Sequence, residues 1–312
     1  MTMKITLDLG GSRTKATNGK EEIMFPSIVV DRKEGLWDTS TGAKSGIIVG
    51  DEAIPYIGSN ARIYYPIQEG RLSMKIGLEL AKYAIRKLNP DGELMTLNVG
   101  VPVMTNLAQR NDLRSLFIKE IPGIKGVMVW PQPLGTLIDV GLNAGIAIAI
   151  GGTTTEILSV GIGIDDNGKN MPIYLEDLST TSPVASDVAM DYIINEVTRK
   201  TGIKPDKLTA ERILIGKIHH LTFGRKIFNV KTIKDDAVVD LAKQIADIIN
   251  SILVDIPPVY EYLKSYMVLS GGGSILRNSQ GTIKDLLEEE LGVTFRTPND
   301  VFFSNMRGLH KI

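Results

Sequence analysis

Asp8-Leu9-Gly10-Gly11-Ser12-Arg13-Thr14-Lys15 brings together residue types that suit a phosphate ligand. Glycines let backbone N–H groups approach phosphate oxygens with no side chain in the way. Ser12 adds a hydroxyl donor, and Lys15 can neutralise phosphate as a point charge. Asp8, at the end of an apolar run, suits a hydrated Mg²⁺, which takes carboxylate, water and phosphate oxygen. The pattern returns without a gap at Ala149-Ile150-Gly151-Gly152-Thr153-Thr154-Thr155-Glu156, where Thr153 and Thr154 supply the hydroxyls. One Gly-Gly hairpin is ordinarily only a turn. Two alike, each after an apolar strand, point to a duplicated domain whose hairpins face each other across a cleft. The copies differ at one telling place: Asp8 is matched by Ala149.

A third glycine run, Gly271, Gly272 and Gly273, follows the apolar residues 266–269. A strand ending this way before a helix would let the flat base and ribose of a nucleotide pack on backbone. Other stretches are decoys. Thr41-Gly42-Ala43-Lys44-Ser45 lacks the spacing of a P-loop, and Gly161-Ile162-Gly163 lacks the third glycine of a dinucleotide fingerprint. Asp165-Asp166-Asn167-Gly168 lacks the later glutamate of a calcium loop and reads as a turn. His219 and His220 have no partners at metal spacing and read as surface or pocket-edge residues on different helix faces. Glu288, Glu289 and Glu290 read as a solvated helix face, and Trp37 and Trp130 as core.

The elements that must position these residues alternate in type. Strands are expected over 5–9, 45–49, 94–101, 126–130, 146–150, 156–164 and 266–269. Helices are expected over 71–88, 106–121, 134–140, 186–201, 209–219, 235–253 and 283–291. Asn89-Pro90, Pro122-Gly123 and Gly202 supply stop signals. This alternation argues for an α/β fold. Of 312 residues, 43% are hydrophobic and 23% charged, enough for two domains of roughly 150 residues. The formal charge of −1 gives the whole surface no electrostatic case for direct nucleic-acid or membrane binding. The absence of cysteine excludes disulfides and cysteine-ligated metals. No apolar run reaches the roughly 18 residues of a membrane span, and no signal peptide is apparent, so a cytoplasmic location is expected.

Two phosphate hairpins with a connecting helix, followed by an adenosine-side glycine run, resemble the actin superfamily of ATPases over nearly the whole chain. Within it the chain is similar to plasmid-segregation (ParM-like) bacterial and archaeal actins. Phe25-Pro26-Ser27, Ile48-Val49-Gly50-Asp51-Glu52-Ala53, the shortened second hairpin and Phe303-Ser304-Asn305-Met306-Arg307-Gly308 carry the likeness. The resemblance implies a duplicated, ribonuclease H-like two-domain fold with ATP or ADP (GTP stays open) and Mg²⁺ in the interdomain cleft. It implies a first domain of residues 1–143 with a returning C-terminal helix, 299–312, and a second domain of 144–298. It also implies filaments, with plasmid DNA moved through a DNA-binding adaptor. Asp8 matches the Mg-side acid and Lys15 the phosphate-binding lysine. Gln132 matches the residue that positions the attacking water, a role of orientation because an amide is a weak base. Without the resemblance, Gln132 reads as a polar helix cap. Glu211 and Lys217 lie in a stretch resembling the helix that lines the adenine pocket.

In that family the strand before hairpin two ends in Asp, where this chain has Ala149. Glu156 matches an acidic position the relatives share and can assist through a second layer. A natural slow variant and a deliberate Asp→Ala change both explain Ala149. A methyl group at an ion site brings no binding benefit, which favours the deliberate change. The expectation is nucleotide binding with impaired hydrolysis. The alternatives are a small-molecule kinase of the sugar or acetate kinase branch, for which no convincing base is found, and a chaperone-like nucleotide switch, for which a substrate-binding domain is lacking.

Overall fold

The computed structural model describes residues 2–32, 46–57, 61–68, 70–164 and 169–312. Trp37, the Thr41 to Ser45 stretch, Ser45 of the expected 45–49 strand and the turn at 165–168 lie outside the described residues. The chain divides into two units, Met1–Asp139 with Phe303–Ile312, and Val140–Phe302.

The first unit opens with β1 (Met3–Leu9), β2 (Arg13–Thr17) and β3 (Glu22–Pro26), which run antiparallel. A smaller sheet follows, of β4 (Val29–Arg32), β5 (Gly46–Val49) and β6 (Arg62–Tyr64), then the short pair β7 (Ile67–Gln68) and β8 (Arg71–Leu72). Helix α1 (Met74–Leu88) leads to β9 (Met95–Val101), α2 (Leu107–Glu120), β10 (Ile124–Pro131) and α3 (Gln132–Asp139). The main sheet has the order β10-β9-β1-β2-β3, with β1, β9 and β10 parallel. A capping box between Asn106 and Gln109 starts α2. The helix expected over 71–88 starts later, because Arg71 and Leu72 pair with β7 and Ser73 is extended at ψ 109°. Ile5, Leu7, Leu9, Leu80, Leu97 and Phe117 are fully buried. Burial of each such side chain contributes roughly 1.5–3 kcal/mol.

The second unit repeats the opening. β11 (Gly145–Ile150) and β12 (Thr155–Ile164) form an antiparallel hairpin, followed by β13 (Asn170–Tyr174) and β14 (Thr180–Ser182), both paired with β12. Then come α4 (Ser186–Thr201), α5 (Lys207–Leu214), the hairpin β15 (His220–Phe223) and β16 (Lys226–Asn229), and α6 (Lys231–Val254). β17 (Met267–Ser270) runs parallel to β11, as β9 does to β1. Helix α7 (Ile283–Leu291) follows, and α8 (Ser304–Lys311) returns to the first unit. Gly202 at φ 72° and Gly292 at φ 62° end α4 and α7 in the left-handed conformation that glycine favours.

Three expectations change here. The helix expected over 209–219 spans Lys207–Leu214 instead. Asp206 caps its start, and Gly216, at φ 75°, donates to the Ile213 carbonyl and ends it. Lys217 therefore lies in a turn, and His219 and His220 are not on a helix; His220 opens β15. Helix α6 begins four residues before the expected 235. The helix expected directly after Gly273 is a short 3₁₀ turn, Gly272–Ile275.

Candidate functional site

Strand alternation places Asp8. Ile5, Leu7 and Leu9 join the core, so Thr6 and Asp8 take the opposite face of β1. Asp8 is 1% exposed, and Lys15, its cross-strand partner, puts Nζ 2.8 Å from its Oδ2. The lysine thus gives the buried acid its ion-pair partner. Gly100 stands beside Asp8 on β9, and Trp130 beside Gly100 on β10. A Cβ on Gly100 would lie 3.1 Å from Gln132 Cγ, so the missing side chain gives Gln132 its room.

Gln132 is the first residue of α3 and is only 6% exposed. Among the described residues its Nε2 has no hydrogen-bond partner, nor does Nε1 of the half-buried Trp130. Trp130 is therefore not the core residue expected. An unpaired buried donor costs about 1–3 kcal/mol, so each such group calls for a reason. Trp130 lies two strands from the buried acid, and Gln132 packs against Gly100 on the strand between them.

Both hairpins are held from behind by a serine. The fully buried Ser27 Oγ donates to the Gly10 carbonyl at 2.6 Å, and its N–H donates to the Ser12 carbonyl at 3.0 Å. Thr14 Oγ1 shares a 2.8 Å bond with the same hydroxyl. In the second unit Ser186 Oγ donates to the Gly151 carbonyl at 3.0 Å, and the Asp187 N–H to the Gly152 carbonyl at 2.8 Å. A trans peptide points its C=O and N–H in opposite directions. Pinning the Gly10, Gly151 and Gly152 carbonyls therefore turns the N–H groups of Gly11, Gly152 and Thr153 away from the clamps. Among the described residues these three N–H groups donate to no protein acceptor. The glycines are equivalent in another way. A Cβ on Gly10 would stand 2.6 Å from the Arg13 carbonyl oxygen, and one on Gly151 2.8 Å from that of Thr154.

Hairpin two replaces the Asp8–Lys15 pair by Ala149 opposite Glu156. Glu156 is 3% exposed and accepts from Thr181 Oγ1 at 2.6 Å. Thr154 is buried, and the buried Thr153 Oγ1 has no partner among the described residues. The third glycine run packs on this hairpin's strand. A Cβ on Gly271 would meet the Ile150 carbonyl at 2.3 Å, and one on Gly273 the Ile150 side chain at 2.2 Å. The Cβ side of Gly271 and Gly273 is thus taken by Ile150, while the Cβ side of Gly272 faces the Phe302 ring. Ser12 is exposed at the tip of hairpin one; Glu211 is half-buried on α5 and Lys217 exposed beyond it.

Sequence reasoning missed both clamps and Gly100. Ser27 stood in the quoted Phe25-Pro26-Ser27 motif, and Ser186 at a helix start, but neither carries a sign of which carbonyl it reaches. Among the described residues no cluster of three or more His, Cys, Asp or Glu could hold a metal ion. Any metal here would rest on a single carboxylate such as Asp8 together with ligand oxygens and water, a set that suits Mg²⁺.

No protein-family profile and no curated protein matches the chain. Solved structures do. MreB5 of Spiroplasma citri bound to ADP aligns with a TM-score of 0.74 at 18% identity, over 99% of this chain and 95% of that one. A MamK double helical filament aligns at 0.77 and 19%, over 99% and 98%. A non-polymerising MamK mutant bound to AMPPNP aligns at 0.68 and 19%, with the same coverage. With the repeated β-hairpin openings of its two units, the chain has the actin-like, ribonuclease H-like duplicated α/β fold.

Proposed function

We propose that the chain is a filament-forming, adenine-nucleotide-dependent ATPase that binds ATP with Mg²⁺ and cleaves it slowly. The observation that carries the reading is the pair of clamped hairpins, which turn the unpaired N–H groups of Gly11, Gly152 and Thr153 away from the groups that hold them. Such groups suit phosphate oxygens. Solved proteins of the same fold with ADP, with AMPPNP and as a filament support the nucleotide class and the self-association.

In this reading Gly11, Gly152 and Thr153 bind phosphate oxygens through N–H, and Lys15 offsets their charge while staying paired with Asp8. Asp8 would hold a hydrated Mg²⁺, which when bound neutralises the phosphates. The unpaired Gln132 amide would orient the attacking water. Ala149 withholds the second carboxylate, so ground-state binding survives while the transition state loses one stabilising group. The filament's task would be moving plasmid DNA in the cytoplasm, through a DNA-binding adaptor.

Sedimentation tests the assembly directly. Pelletable polymer should form with ATP and Mg²⁺ and persist, because little ATP is cleaved. Protein that stays in the supernatant with ATP, ADP or AMPPNP at every concentration would contradict the proposal.

A further inference from the structure

The chain's near-zero net charge conceals a strongly segregated one. Residues 199–236 carry ten Lys and Arg against four acids, Asp206, Glu211, Asp235 and Asp236, an excess of six in a chain whose sum is −1. Only three of the ten are held in ion pairs: Arg199 and Lys200 with Glu196, and Lys207 with Asp187. The others make no ion pair among the described residues. They gather on one lobe of the second unit, made of α5, the β15–β16 ribbon and the start of α6. The His219 carbonyl accepts from the Val230 N–H and closes the ribbon's base. Lys234 Nζ comes within 3.6 Å of where a Cβ on Gly216 would stand, bringing the cations of α6 beside the turn after α5.

The ribbon is two-faced. Leu221, Phe223 and Phe228 pack on the core, so the opposite face presents His220, Thr222, Ile227 and Asn229 to solvent. Asn229 Oδ1 is used to cap the Lys231 N–H, which leaves its amide donors free to face outward. Exposed Arg225 and Lys226 form the tip.

We infer that this lobe binds duplex DNA directly, the ribbon facing the major groove and the cations the phosphates. A two-stranded ribbon, with strands about 4.8 Å apart, fits a groove about 12 Å wide. Thr and Asn can bond to base edges there, and an aliphatic side chain can meet a thymine methyl. The deep, narrow major groove of A-form RNA admits no such ribbon. An anionic membrane would call for exposed aromatic anchors, and this ribbon turns both of its phenylalanines inward. DNA binding by the lobe is independent of the nucleotide reading and supplements any adaptor.

The test is fluorescence anisotropy of a labelled DNA duplex with the full chain across a salt series. Affinity should fall about 10³-fold between 50 and 200 mM salt, as for roughly six neutralised phosphates. Arg225→Glu, Lys226→Glu and Lys231→Glu together should weaken binding at least about tenfold and flatten the salt slope by about one for each phosphate no longer neutralised. Binding of a fluorescent ATP analogue should not change. The neutralising pair Arg225→Gln and Lys226→Gln should give an intermediate loss, which separates a charge effect from misfolding. No binding at 50 mM salt overturns the inference, as does equal binding by the charge-reversed chain. So does a variant that loses polymer, or loses phosphatidylserine vesicles, while keeping the duplex; those results assign the lobe to a second copy or to a membrane.

Discussion

Gln132 is held where its amide gains nothing from the protein. Its Nε2 is buried and unpaired, and Gly100 lacks a side chain at the place where Gln132 packs. A residue kept at a cost to stability points to a task elsewhere. Gln132→Leu should therefore raise stability by up to about 1 kcal/mol, since it removes an unsatisfied donor at similar volume. In the Ala149→Asp background the same change should lower phosphate release about 10²-fold, as for loss of one transition-state group. Urea denaturation and a phosphate-release assay check the two halves. At this scale the sequence was informative about residues that repeat. Asp8, Lys15 and the hairpin glycines stood out because two copies could be aligned. Ser27, Ser186 and Gly100 act on partners far along the chain, so no local pattern marked them.

At the scale of elements, α8 is bound closely to the first unit. Gly135 and Gly308 let α3 and α8 touch through backbone: a Cβ on Gly308 would stand 1.8 Å from the Gly135 carbonyl oxygen. Asn98 Nδ2 donates to the Leu309 carbonyl at 2.8 Å, and Thr136 bonds to Ser304 and Asn305. Gly308→Ala should cost about 3 kcal/mol, because backbone has little freedom to yield; chemical denaturation measures it. Acid should loosen the same helix. Burial, aided by Lys4, holds His310 below its ordinary value, so the unfolded chain takes up that proton first. The Arg307 guanidinium, donating through Nε and Nη2, holds Glu22 below the usual carboxylate range. A depressed histidine contributes stability that is lost as pH falls below about 6.5, and a depressed carboxylate stability lost at lower pH still. Proteolysis of the C-terminus should therefore quicken between pH 7 and 5. The long helices were legible through their periodicity and stop signals. The overrun of α5 and the missed β15–β16 ribbon share a cause: residues 215–223 are too short and mixed in period to show where a helix yields to a strand.

At the scale of the molecule, the duplicated fold was readable because it is written twice, each copy starting with an apolar strand and a Gly-Gly turn. Net charge was a poor guide at this scale, since it averaged a basic lobe against an acidic remainder. The central claim concerns one position in the second copy. Ala149→Asp places a carboxylate beside Glu156, a like-charge pair that costs up to about 1 kcal/mol until a cation binds. The most direct measurement is steady-state phosphate release at saturating ATP and Mg²⁺, the Ala149 chain against Ala149→Asp, with AMPPNP affinity as the control. The account predicts a rise of about 10²–10³-fold with AMPPNP affinity little changed. An Ala149→Asp chain that still binds AMPPNP but releases phosphate no faster than the Ala149 chain would contradict it.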